Sequence, residues 1–490
     1  MSCRTTLLYK IVIRYDQHYQ QLTCNGKLLF KGEFKMNKTA LRLLLVFSLM
    51  AALIGASSGA AMAQAFPAYT SGVQVANLEA TEANITLSAF NQDGTKNGND
   101  LTDKIPANGS KTYFPISNVS AGFNGSLVFS SDKKIAAISN ILAIADGVTG
   151  KAAASYVGRD TGATTIRLPL LNKGNSGFNT WFSVQNAGTA DATISIDYSD
   201  NGIGADATAT IKPGAARVFY QAQETHTAAT FAGTVTSTNN QPLVAAVIQE
   251  NNAIMFAYTG FTGAGSTSPV FPLINANNAN YITGLQIQNA GTAETSVTVS
   301  YTPSSAGNAC TETQSIAPGA SKTFALAAFA NSSLGAAENC ADGARFVGSA
   351  KVTANSASQP LVGIGNQLLP GRNGEAYGSF SADEATAKVV MPLIMDRNGG
   401  FFTGFSVQNV GDAATSVSCT FTNSSVTIPA TTLQPGGALA DLQANKLGER
   451  YVGAGTCTAT AGGKIVAVVN QLGASGTADQ LLVYEGISAQ

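Results

Sequence analysis

Along short stretches of the chain, apolar and polar residues alternate with a period of two. In Gly404-Phe405-Ser406-Val407-Gln408-Asn409-Val410-Gly411, Phe405 and Val407 point one way while Ser406 and Gln408 point the other. Alternation of this kind predicts a strand with one buried face and one wet face. Asn409 and Gly411 then predict a turn, because both residue types tolerate positive φ. A second alternating stretch follows, Ser416-Val417-Ser418-Cys419-Thr420-Phe421. The same strand–turn–strand unit recurs at 284–291 with 296–301, and at 181–188 with 194–198. A worn copy sits at 73–77 with 85–87.

Other landmarks keep the same order around the corner asparagines Asn77, Asn186, Asn289 and Asn409. Each repeat after the first opens on a Pro-Leu pair: Pro169-Leu170, Pro272-Leu273 and Pro392-Leu393. Each has a mid-repeat turn, at Asn108-Gly109, Pro213-Gly214, Pro318-Gly319 or Pro435-Gly436. A Gly-led strand begins at Gly125, Gly233, Gly348 or Gly453, a more continuous apolar run follows, and each repeat closes near a tyrosine: Tyr156, Tyr258, Tyr377 or Tyr484. The asparagines are 109, 103 and 120 residues apart. That period is the size of a whole immunoglobulin-type sandwich of about seven strands, not of a solenoid unit. The expected fold is all-β: four tandem immunoglobulin-like β-sandwich domains after a cleaved signal peptide. The repeats are placed at 64–160 (degenerate), 164–263, 268–382 and 388–490. Short connections such as 262–268 and 381–387 predict an elongated rod of four sandwiches. No convincing helical period occurs; the Ala-rich insertion at 325–345 has room for one short turn.

Composition changes this picture little. Charged residues make up 12% of the 490 and apolar residues 44%, which suits packed cores under a surface of small polar side chains. The net charge of −1 conceals a split. Residues 1–63 carry eight Lys and Arg against two Asp and Glu, which leaves 64–490 at −7. With no basic patch in that part, nucleic acid is not expected as a partner. Met36-Asn37-Lys38, the apolar run at 43–56 and Ala61-Met62-Ala63 have the form of a secretory signal peptide cleaved before Gln64. Residues 1–35 do not fit that pattern and read as an upstream extension that is not native. No transmembrane segment is expected in the mature chain, and the protein reads as secreted or held at the cell surface.

Four cysteines follow the leader: Cys310, Cys340, Cys419 and Cys457. Each pair falls inside one repeat of a chain bound for an oxidising compartment, so both are expected as disulfides. Cys419 aligns with Val299 and Cys457 with Val352, so that bond is expected to cross the core between the two sheets. Cys310 and Cys340 flank the insertion of the third repeat. A zinc site is disfavoured, because four thiols split over two domains lack the usual spacing.

No catalytic constellation emerges. After the leader His226 is the single histidine, set in a polar stretch that reads as a solvated loop. Ser130-Ser131-Asp132-Lys133 reads as a hairpin turn, and Asp197-Tyr198-Ser199-Asp200-Asn201-Gly202 as a turn lacking a full calcium-ligand set. Asn140, Asn366 and Asn470, near the ends of three repeats, read as structural hydrogen-bonding residues. No catalytic residue, cofactor or metal is predicted. Trp181, the single tryptophan, lies off the core face by the alternation; it is a candidate contact for a partner or a glycan, or else packs against a neighbouring repeat.

The strand–Asn-x-Gly–strand unit followed by Pro-Gly resembles the immunoglobulin-like repeats of bacterial secreted and cell-surface proteins, the CARDB-like group among them. The resemblance covers nearly all of 66–490 and implies adhesion, stalk, surface-layer or filament roles without catalytic residues. The expected function is a non-enzymatic structural or adhesive protein, with itself or surface glycans and proteins as partners. A carbohydrate-binding protein is the alternative, and a secreted hydrolase the weakest.

Overall fold

The structure, a computed structural model, describes residues 64–489 apart from 203, 326–336, 339–343, 357, 384, 461 and 474–478. The upstream extension, the leader and Cys340 lie outside the described residues, as does most of the stretch in which a helical turn was expected.

The described chain is built from antiparallel strands. The first sandwich comprises β1 (Ala68–Asn77), β2 (Ala83–Asn91), β3 (Leu101–Ile105), β4 (Ser110–Tyr113), β5 (Gly125–Ser131), β6 (Ile135–Ala145) and β7 (Val148–Val157). The second comprises β8 (Thr165–Asn175), β9 (Phe178–Asn186), β10 (Ala192–Tyr198), β11 (Ala207–Ile211), β12 (Ala216–Tyr220), β13 (Thr230–Ser237), β14 (Leu243–Glu250) and β15 (Met255–Thr259). The third comprises β16 (Val270–Ala276), β17 (Ile282–Asn289), β18 (Thr295–Ala306), β19 (Cys310–Ile316), β20 (Ser321–Phe324), β21 (Ala337–Glu338), β22 (Phe346–Ala354), β23 (Leu361–Leu369) and β24 (Asn373–Gly378). The fourth comprises β25 (Lys388–Asp396), β26 (Phe401–Asn409), β27 (Thr415–Phe421), β28 (Thr427–Leu433), β29 (Ala438–Leu442), β30 (Tyr451–Ala459), β31 (Ile465–Gly473), β32 (Leu481–Glu485) and β33 (Ile487–Ala489).

Each sandwich has two sheets. In the fourth, one runs β28-β27-β30-β25-β33 and the other β29-β26-β31-β32. The third repeats this plan, and the second joins its two sheets through the β8–β9 hairpin. Alternation builds the core between the sheets: Val407, Val417 and Cys419 are fully buried in the fourth copy, and Ile287, Val297 and Val299 in the third. The corner asparagine closes each unit. Asn409 Nδ2 donates to the carbonyls of Ala413 and Leu433 while its Oδ1 accepts from Gly411 N. Asn186 and Asn289 make the same three bonds in their own repeats. These side chains are buried, and each satisfies backbone groups that the turn would otherwise leave unpaired.

The expected rod is not formed. The described residues belong to one compact unit. The closing strands meet in cyclic order, β7 against β15, β15 against β24, β24 against β32, and β32 against β7. The reason lies in their composition. β15 and β24 are buried along their whole length, and Ala152, Ala154, Ala257 and Ala376 let the strands approach closely. A closing strand with a wet outer face would have alternated; these do not.

Carboxylates fasten the hub. Glu375 Oε1 accepts from Ala257 N at 2.6 Å and Ala376 N at 2.8 Å, and its Oε2 accepts from Ser155 N at 2.6 Å, so one side chain ties three sandwiches. Asp479 accepts from Met255 N at 2.9 Å and Gly374 N at 3.0 Å. Glu485 accepts from Gly378 N. Burial pushes all three carboxyls above their usual range, Glu375 and Asp479 far above it.

Candidate binding groove at the first seam

Three seams between neighbouring sandwiches share one construction. The opening strand of a sandwich pairs within its own sheet and also packs on the next sandwich. β8 rests on β17 and β23, β16 on β26 and β31, and β25 on β1 and β6. Three features receive each strand. The first is a backbone edge: β13, β22 and β30 pair with β8, β16 and β25. The second is a tyrosine clasp on the Pro-Leu pair. Tyr258 Oη donates to Leu170 O at 2.8 Å, Tyr377 Oη to Leu273 O at 2.5 Å and Tyr484 Oη to Leu393 O at 2.6 Å. The third is a small-residue floor. A Cβ on Gly260 would stand 2.6 Å from Ile166 Cγ2, and one on Gly486 would stand 2.7 Å from Val389 Cγ2.

Among the described residues the first sandwich has no counterpart of the opening strand. Its second sheet has only β3-β2-β5, and among the described residues no strand pairs with the outer edge of β5. The receiving features nevertheless remain. Tyr156 holds the clasp position, opposite Ser139 as Tyr258 stands opposite Val247, with the Ser139 side chain beside its hydroxyl. Gly158 N donates to Ala137 O as Gly260 N does to Ala245 O and Gly486 N to Ala467 O. Yet a Cβ on Gly158 would meet only Ala137, at an ordinary 3.4 Å or more. The edge strand is correspondingly bare. By register Phe129 is the counterpart of Val235, Val352 and Cys457. Those three are 0% exposed, whereas Phe129 and Leu127 are half-buried.

The result is a groove between the first two sandwiches, part of a cavity of about 2190 Å³. β5 forms one wall, Gly158 lies on the floor, and Ser183, Gln185, Val244 and Ala246 of the second sandwich form the other wall. Strand β5 carries no charged residue and no proline, the devices that usually guard an open edge.

Trp181 lines the same cavity. It occupies the register position held by Gly72, Gly284 and Gly404 in the other copies, opposite Ile248 where they have Asn140, Asn366 and Asn470. The half-buried indole packs against Tyr69 of the first sandwich, with ring centroids 6.0 Å apart, and against Tyr220 at 6.5 Å. Beside it the buried Glu250 carboxylate accepts from Ala65 N at 2.8 Å and from Tyr69 Oη at 2.8 Å. Burial raises the Glu250 carboxyl above its usual range. Trp181 Nε1 has no partner of hydrogen-bonding geometry, although the indole N–H is close enough to help stabilise the carboxylate.

The remaining sequence candidates are dispersed. Cys419 and Cys457 are bonded, with Cα atoms 4.1 Å apart. They sit directly opposite each other on the paired strands β27 and β30, so the bond lies within one sheet and does not cross the core as expected. Alternation correctly buried both residues but could not say which strands are neighbours. Cys310 is disulfide-bonded. His226 is not solvated: its side chain is fully buried, stacked on Phe231 with centroids 3.9 Å apart, and its Nδ1 lies 3.3 Å from Asp200 Oδ1. Asp200 also accepts from Thr227 N and Ala228 N, so this carboxylate clamps a loop. Asn140 and Asn470 bond side chains of other sandwiches, Gln471 and Gln367. Among the described residues no group of three or more His, Cys, Asp or Glu is placed to hold a metal ion, and no helix is long and apolar enough to cross a membrane.

No protein-family model matches the chain, and no curated protein sequence is significantly similar to it.

The groove was missed at the sequence level although its signal was present. The Pro-Leu pair that opens the other three repeats is absent from the first, and the clasp tyrosine and glycine remain without it.

Proposed function

We propose that this chain is an extracellular, non-enzymatic structural or adhesive protein that works by binding through its sheets. The observation that carries this reading is the open β5 edge beside a ready-made groove, in a molecule whose other opening strands are all seated. Unpaired strand edges join chains by main-chain hydrogen bonds, which is how many adhesive and self-assembling β proteins associate. The recurring polar residues support it as well. The corner asparagines and hub carboxylates are engaged by backbone groups, so the repeated chemistry is architectural. The resemblance to surface repeats, the leader pattern and the Cys419–Cys457 bond agree with an exported protein.

The glycan-binding alternative is less favoured, because Trp181 is half-buried and engaged by Tyr69 and Tyr220 at the seam between two sandwiches. Electron microscopy and sedimentation of the purified protein, beside pull-down on insoluble polysaccharides, test the assignment. Filaments or partner-dependent complexes are expected. Retention on polysaccharide by a protein that otherwise remains single would reverse the order of the two readings.

A further inference from the structure

We propose that the groove beside β5 is a seat for an extended peptide segment supplied by another protein, which completes the first sandwich as its eighth strand. This rests on the reading of the chain as a binding protein and specifies the partner's chemistry.

The other three seams show what the guest must do. It must run antiparallel to β5 and take up its free backbone groups, as β8 does with β13. It must pass over Gly158, as β8 passes over Gly260 and β25 over Gly486. A Pro-Leu pair would place a backbone carbonyl within reach of the Tyr156 hydroxyl, as Leu170 does for Tyr258.

The guest also differs from its three counterparts in a defined way. In the second sandwich Ile166 stands opposite Val235 and Leu168 opposite Gly233. In the fourth, Val389 stands opposite Cys457 and Met391 opposite Gly455. Large residues on the opening strand thus meet small ones on the receiving edge. In the first sandwich the receiving positions hold Phe129 and Leu127, so bulk has moved to the host. The matching guest carries small residues, Ala, Gly or Ser, at the two positions facing them. Strand β5 itself is uncharged along its length, so the guest residues facing it are uncharged too.

The described part of this chain is already placed elsewhere, and of its residues ahead of β1 only Gln64 reaches the cavity. The chain reaches β1 through Ala65, held by Glu250, and Phe66, which packs with Ile248 and Met255 of the second sandwich. A second copy would have to present a sheet edge, and the second-sandwich wall stands against β5: Ser126 Oγ donates to Gly214 O at 2.5 Å. A single extended strand is slim enough to enter.

The test is a size exchange. The probe is a synthetic peptide with the sequence of residues 165–172 bearing Ile166→Ala and Leu168→Ala; the unaltered peptide is its pair. Binding to the full chain is read by fluorescence polarisation. The small-residue peptide should bind, and the unaltered one about tenfold or more weaker, because overpacking opposes it. The double variant Leu127→Gly, Phe129→Val should invert this preference, a gain that misfolding cannot produce. Tyr156→Phe should weaken the small-residue peptide several-fold. Absence of binding by either peptide to either protein overturns the proposal, as does binding indifferent to the exchange. A dimer of the protein alone that Val128→Pro abolishes would assign the edge to a second copy and overturn it as well. Filaments on microscopy without peptide binding would remove the seat and leave the assembly reading standing.

Discussion

The first and fourth sandwiches share most landmarks, but among the described residues the first has no counterpart of the opening strand β25 or of β33 beside it. In the fourth, Tyr484 holds the carbonyl of Leu393, Gly486 lies under Val389, and Cys457 is buried under the opening strand. In the first, Tyr156, Gly158 and Phe129 occupy those places and face a groove. Loss of one opening strand therefore alters two interfaces together, the sheet edge of its own sandwich and the seam with the next. The comparison also separates what keeps a repeat folded from what keeps it joined. The first sandwich retains its corner asparagine and its core, and it is joined to the others through the hub, through β25 seated on β1 and β6, and through the Tyr69–Trp181 contact.

The strongest way to break this comparison is to cut the hub. Glu375→Ala leaves three buried amide donors, on Ser155, Ala257 and Ala376, without an acceptor. At about 1–3 kcal/mol for each unpaired group, the loss should be roughly 5 kcal/mol in urea unfolding. Because Ser155 belongs to the first sandwich, that repeat should unfold in a separate, earlier transition. The same group makes stability depend on pH. Burial raises the Glu375, Asp479 and Glu485 carboxyls, so the folded chain holds protons that the unfolded chain releases. The midpoint should be highest below the ordinary carboxylate range and fall as pH rises through that range toward the raised values. A midpoint that instead climbs steadily from pH 4 to pH 7 would contradict it.

Next in size is the Cys419–Cys457 bond, which the first sandwich replaces with Leu87 opposite Phe129 and the third with Val299 opposite Val352. Replacing both cysteines by valine should cost about 2–4 kcal/mol, chiefly by freeing the unfolded chain. Differential scanning calorimetry should place that loss in the fourth repeat alone. A smaller effect distinguishes the two clasps. Tyr484→Phe removes the partner of the buried Leu393 carbonyl and should cost about 1–2 kcal/mol. Tyr156→Phe has no strand to release and should change stability by less than about 0.5 kcal/mol.

How much of this was legible varied with the physics involved. Period-two alternation around Val407 and its counterparts, with the Asn-x-Gly corners, was sufficient for four sandwiches, because strand faces and turns are set locally. The cyclic hub was not, since the neighbours of β15 and β24 lie a whole repeat away, 102 to 118 residues along the chain. A hint existed: Met255-Phe256-Ala257-Tyr258 does not alternate, which predicts burial on both faces. Cys419 and Cys457 were placed correctly in the core, but pairing across a sheet and pairing within one give the same inward pattern. His226 was misread because its polar neighbours, Thr225 and Thr227, conceal that Phe231 and Tyr198 cover it. The groove was legible only as a difference between repeats, the Pro-Leu pair missing ahead of β1, and alignment of what recurs passes over what is absent.

The finest test of the comparison is a single side chain. Phe129 and Phe271 both belong to the layer where an opening strand meets its receiving edge, on opposite partners of the contact. Phe271 lies on the opening strand β16, opposite Ala350, and is fully buried; Phe129 lies on the receiving strand and is half-buried. Phe271→Ala should cost about 3–5 kcal/mol, the usual loss for a core phenylalanine. Phe129→Ala gives up only the part of the ring that is covered and opens no closed cavity, since the space beside it already communicates with the groove, so about 1 kcal/mol is expected. Urea unfolding of the two variants under the same conditions measures the ratio. Equal losses would mean that Phe129 is packed as tightly as Phe271, and that bulk on the receiving strand has replaced the missing strand outright. A small loss for Phe129, which a groove-filling peptide then enlarges toward that of Phe271, would mean that the layer is complete only when a guest is present.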